Sequence, residues 1–129
     1  MSPMSSGAMP KSSAQAQAAF RSLLPDDAAV NTRPMFGNLA AFVNGNMFAG
    51  LFGEGLFVRL GDADRTRLLE EGGADFAPMA GRVMKGYVTL PAGWAERPEP
   101  TRELIGRSLE WTRALPAKQP KKAGGGRLR

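Results

Sequence analysis

Residues 39–60 read LAAFVNGNMFAGLFGEGLFVRL, and two turn signals divide this run into strands. Asn44-Gly45 between apolar segments is a strong short-range hairpin signal, because a type I′ turn needs positive φ at both central residues. A two-residue loop there pairs Val43 with Asn46, Phe42 with Met47 and Ala41 with Phe48. Gly53-Glu54-Gly55 makes a second tight turn and sends the chain back through Leu56 to Leu60. The expectation is a three-stranded antiparallel meander, opened by Met35-Phe36-Gly37. The same stretch is the most apolar in the chain, yet Asn44, Asn46, Glu54, Arg59 and four glycines interrupt it. A membrane helix needs about 20 apolar residues in succession.

Outward from the meander, Ala14 to Leu24 reads as a helix. Ser12 or Ser13 can cap it, Ala16, Phe20, Leu23 and Leu24 form its stripe, and Pro25 stops it. After the meander, Asp62 is a good N-cap for a helix running to Glu71, with Gly72-Gly73 as its stop. Phe76 to Met79 and Met84 to Leu90 read as two strands joined around Gly81. Pro91-Ala92-Gly93 ends the sheet. Pro98 and Pro100 lead into a last helix from Thr101 to Leu115, whose stripe is Leu104, Ile105, Ser108, Leu109, Trp111, Thr112 and Leu115. The order is α-β-β-β-α-β-β-α, an α+β domain with a mainly antiparallel sheet. It occupies residues 14–118, between a leader over 1–13 and a basic tail over 119–129 that has nothing to bury.

Composition narrows the chemistry. At 129 residues the chain has the length of one domain. It contains no cysteine and no histidine, so thiolate catalysis, disulfides and the commonest metal ligands are absent. No cofactor is implied, and no serine has a candidate base near it. With no continuous apolar leader segment, no signal peptide is read, and a cytoplasmic location is expected. The net charge of +5 is concentrated in Lys121, Lys122, Arg127 and Arg129; the remaining thirteen bases nearly balance twelve acids.

Each motif that suggests chemistry has a plainer explanation beside it. Gly50, Gly53 and Gly55 lack the following lysine and helix of a phosphate loop, so they read as hairpin glycines. Asp62 and Asp64 form a carboxylate pair that a helix first turn already explains. Arg82, Lys85 and Tyr87 are a candidate anion or nucleic-acid contact, with Lys85 and Tyr87 on one face of a strand. Met35, Phe36, Phe48 and Phe57 are candidates for contact with a protein partner. The tail bases Lys121, Lys122, Arg127 and Arg129 can meet a polyanion, giving weak, non-specific nucleic-acid affinity.

The segments Arg33-x-Met35-Phe36-Gly37, Asn44-Gly45-x-Met47-Phe48-Ala49, Leu56-Phe57-Val58-Arg59 and Gly81-Arg82-x-Met84-Lys85-Gly86-Tyr87-Val88 together resemble the N-terminal domain of the TfoX/Sxy family. Leu115-Pro116-x-Lys118 is similar to the closing pattern of its short members. The resemblance implies a two-layer α/β sandwich and supplies no catalytic residue. Longer members carry a second, helical domain and regulate natural competence together with the cyclic-AMP receptor protein. Gly37-Asn38 departs from the two glycines that many members have there.

A two-layer fold covers one face of its sheet. In the register above, Met47, Ala49, Leu51, Leu56, Val58 and Leu60 meet the helices. Leu39, Ala41, Val43, Phe48, Phe52 and Phe57 then lie on the other face, an apolar surface that calls for a homodimer or a constitutive partner. The expected function is a non-enzymatic interaction module, an accessory factor in transcription or competence regulation. The alternative is a nucleic-acid-binding accessory protein acting through its tail.

Overall fold

A computed structural model describes residues 11–35, 37–78 and 82–117. Helix α1 spans Ala14–Leu23, and Ser13 caps it by accepting a hydrogen bond from the Ala16 N–H at 3.0 Å. Its buried stripe is Ala16, Phe20 and Leu23. Glu54, in a turn of the sheet, accepts from both the backbone N–H and the hydroxyl of Ser13, which fixes the start of the helix.

Four consecutive strands follow: β1 Val30–Met35, β2 Asn38–Val43, β3 Asn46–Phe52 and β4 Gly55–Arg59. The meander therefore has one strand more than expected. Met35 ends β1, and Gly37, at φ +82°, makes the turn into β2. Pro34 is tolerated because β1 is an edge strand, paired only with β2. The Asn44-Gly45 turn forms as read, with φ of 52° and 79° at its centre.

Helix α2 spans Asp62–Glu70, and Gly61 rather than Asp62 is its N-cap. Asp62 is already helical and pairs with Arg65 at 2.7 Å. The sheet is completed by β5 Ala74–Asp75 and β6 Tyr87–Thr89, in the order β1-β2-β3-β4-β6-β5 with every pairing antiparallel. These last strands are shorter than expected. Phe76 to Pro78 lie outside β5, and Met79 falls outside the described residues. Met84 to Gly86 form a turn, with Gly86 at φ +90° and the Tyr87 N–H donating to the Met84 carbonyl.

A 3-10 turn at Trp94–Glu96, unread in the sequence, buries Trp94. Helix α3 spans Pro98–Arg113, starting earlier than expected because the first turn requires no N–H of Pro98 or Pro100. It buries Thr101, Ile105, Ser108, Leu109 and Thr112, while Trp111 stays 46% exposed. Trp111 lies over Gly61, where a Cβ would sit 2.8 Å from its ring.

The three helices share one face of the sheet and enclose the main core, making an α+β fold of two layers. Phe42 pairs with Met47 as expected, but Ala41 pairs with Ala49, so Phe48 is an extra residue in β3. This β-bulge corrects the expected faces of Leu39, Ala41, Val43, Met47 and Phe48. With Phe48 left out of the alternation, Leu39, Ala41, Val43 and Phe48 join Ala49, Leu51, Leu56 and Val58 beneath the helices. Met47 moves to the opposite face and joins Phe52 and Phe57, which lie there as expected.

Candidate binding surface

The register defines the second face row by row, since residues paired across an antiparallel ladder point the same way. Arg33, Ala40, Gly50, Phe57 and Thr89 make one row across β1, β2, β3, β4 and β6. Ala40 and Gly50 are its two smallest members, so the face is hollow there. Phe57 leans over Gly50 from the next strand, and a Cβ on Gly50 would stand 2.7 Å from the ring's ζ-carbon.

A second, smaller core fills one side of this hollow. Phe57 stacks on Phe76 with centroids 4.0 Å apart and planes 13° from parallel, and Phe52 and Tyr87 meet Phe76 edge-on. Tyr87 is held inward by a hydrogen bond from its hydroxyl to the Met47 carbonyl at 2.9 Å. Burial pushes its phenol pKa above 10.0, against an opposing effect of the Arg59 guanidinium 5.5 Å from its ring centroid.

What remains open is an apolar cavity of about 170 Å³. Ala40 lies at its floor, and Met47, Phe52, Phe57, Phe76 and Met84 form its walls. Methionine thioethers are flexible and polarizable, so such walls adapt to differently shaped apolar groups. Asn38, at one end, accepts a hydrogen bond from the Gly53 N–H. Among the described residues, no acidic one lines the cavity.

The candidate residues read from the sequence are scattered by the fold. Phe48 is fully buried under the helices, whereas Phe57, buried in the second core, contributes its ring to the cavity wall. Met35 ends β1 beside Asn38, and Phe36 lies outside the described residues. The Arg82, Lys85 and Tyr87 cluster does not assemble on one strand. Arg82 and Lys85 are exposed, Lys85 sits in the turn before β6, and the Tyr87 hydroxyl is engaged within the protein. Lys121, Lys122, Arg127 and Arg129 lie outside the described residues. Asp62 and Asp64 are ion-paired with Arg65 and Arg107. Among the described residues, no group of three or more His, Cys, Asp and Glu is placed to hold a metal ion, and no helix is long and apolar enough to cross a membrane. Sequence reading missed Ala40, Gly50, Phe76 and Met84 as parts of one surface; the small pair at 40 and 50 was its only local trace.

The family model of the TfoX N-terminal domain matches residues 22–111, from the end of α1 to the last turns of α3. No curated protein matches the sequence.

Proposed function

The chain belongs to the TfoX N-terminal domain family, and from that premise we propose that it acts by binding a protein partner, without catalysis, as an accessory factor in transcription or competence regulation. The observation that carries this reading is the apolar cavity on the sheet face that the helices leave uncovered. An open hollow with methionine and phenylalanine walls suits an apolar side chain of another protein. The lack of cysteine and histidine supports a non-catalytic role. So does the engagement of the core hydroxyls of Thr101, Ser108 and Tyr87 with backbone carbonyls.

The test is retrieval of the tagged full chain from native cells, with and without nuclease. A protein partner that survives nuclease treatment supports the reading. Recovery that nuclease abolishes favours nucleic-acid binding through the basic tail, and recovery of nothing removes the protein-binding reading.

A further inference from the structure

The cavity has a charge environment as well as a shape. Strands β1, β2, β3, β4 and β6 contain no acidic residue, and their only charged side chains are Arg33 and Arg59. Arg33 belongs to the same row as the cavity floor, is exposed, and has its guanidinium 4.1 Å from the centroid of the Phe42 ring. On the opposite side, Lys85 directly follows the wall residue Met84 and is exposed.

Asp75 of β5, the acid within the sheet's strands, pairs in register with Val88 of the main core and so points to the helical side. Every ion pair among the described residues uses an arginine of α2 or α3, on the helical layer. Arg33, Arg59, Arg82 and Lys85 take part in none of them. The uncovered sheet face therefore joins an apolar hollow to a rim of uncompensated positive charge.

Resting on the protein-binding reading above, we infer that this face docks an acidic peptide segment of a partner, with one apolar side chain in the cavity and carboxylates facing Arg33 and Lys85. Two features favour a peptide over single-stranded nucleic acid. Bases need free aromatic faces for stacking, but Phe57, Phe76 and Tyr87 pack on one another and Arg33 covers Phe42. An apolar hollow also offers nothing to a phosphate, whereas it removes a leucine, methionine or phenylalanine side chain from water.

The probes are fluorescein-labelled hexapeptides in which a Leu, Met or Phe is flanked by Asp and Glu, titrated into the full chain by fluorescence anisotropy. Saturable binding is expected, weakened by salt and lost when the apolar residue of the peptide becomes Ser. Arg33→Glu should weaken it about fivefold or more, through a rim charge that steers and orients the peptide. Ala40→Leu, which fills the cavity floor, should weaken it about tenfold, a loss of roughly 1.4 kcal/mol. Arg33 is exposed, so its variant keeps the test valid if Ala40→Leu fails to fold.

No saturable binding, or binding unchanged by Arg33→Glu, overturns the inference. So does binding seen only after residues 1–10 are removed, which would make that segment the occupant; Lys11 lies against Gly37, next to the cavity residue Asn38. Binding of an oligothymidine probe that Ala40→Leu abolishes also overturns it, in favour of nucleic acid. If a partner is retrieved from cells equally well by wild type and Arg33→Glu, this surface is wrong while the protein-binding reading stands.

Discussion

The Ser108 hydroxyl of α3 donates a hydrogen bond to the Phe48 carbonyl of β3 at 2.5 Å and accepts one from the Arg59 N–H of β4 at 3.1 Å. The β3–β4 ladder ends at the Ala49–Val58 pair, and the bulge at Phe48 lies just beyond it. One helical side chain thus bridges two strands where their own pairing stops. The bulge sets the sheet's faces, and Ser108 supplies the hydrogen bonds that the bulged ladder lacks.

Ser108→Ala should therefore be among the more costly small substitutions in the chain. It leaves two backbone groups short of a partner, at about 1–3 kcal/mol for each buried one. Urea unfolding should show a lower midpoint with an unchanged slope. Ser22→Ala, which removes an exposed bond to the Ala19 carbonyl, should stay within about 0.5 kcal/mol. Equal effects of the two substitutions would contradict the bridging role.

Gly50→Ala should destabilise by about 1–3 kcal/mol, because its Cβ overpacks the second core. The Phe57 ring it meets cannot swing aside freely, since Phe76 stacks on it at 4.0 Å. With Phe57→Leu already in place, the added methyl should cost much less. A double-mutant cycle measured by chemical unfolding reads this coupling directly.

Thr112 is fully buried, and its hydroxyl finds no hydrogen-bond partner among the described residues. Thr112→Val keeps the shape and removes the stranded polar atom, so stability should hold or rise by up to about 1 kcal/mol. A clear fall in the thermal midpoint would mean that the hydroxyl is engaged after all.

Asp27 accepts hydrogen bonds from the Arg113 guanidinium at 2.6 Å and from the Ala29 N–H at 2.9 Å. The Arg113 bond is the larger cause that holds its carboxyl below the ordinary value of 3.8. A carboxyl with a depressed folded-state pKa adds stability above its ordinary pKa and loses it as pH falls through the folded value. Wild type should thus exceed Asp27→Asn in stability near neutrality, and the gap should close below about pH 4. Urea titrations of both proteins at neutral and acid pH provide the check; a gap that widens on acidification would reverse the assignment.

Several elements were legible because their signals are local. Ser13 and Pro25 bracket α1, Asn44-Gly45 adopts positive φ at both positions, and the Ile105, Ser108, Leu109 and Thr112 stripe follows the helical period. Strand β1 was less legible. Val30-Asn31-Thr32-Arg33-Pro34 has little apolar alternation and contains a proline, and only its place on an edge makes it a strand. Phe76 gave no sign of its role, because its stacking partner Phe57 lies 19 positions earlier in the chain.

The sequence by itself determined the hairpin turns, the helices, the α+β class and the absence of cysteine and histidine chemistry. Each of these depends on residues within a few positions of one another. Tertiary structure alone decided which way β2 and the start of β3 face; alternation had already placed Ala49, Leu51, Leu56 and Val58 beneath the helices and Phe52 and Phe57 opposite them. Side chains alternate with a period of two, so one extra residue in β3 reverses the assignment for Met47, Phe48 and the β2 strand that pairs with them. Nothing beside Phe48 marks the bulge. The hydroxyl that accommodates it belongs to Ser108, 60 residues away, and meets it only when α3 packs on the sheet.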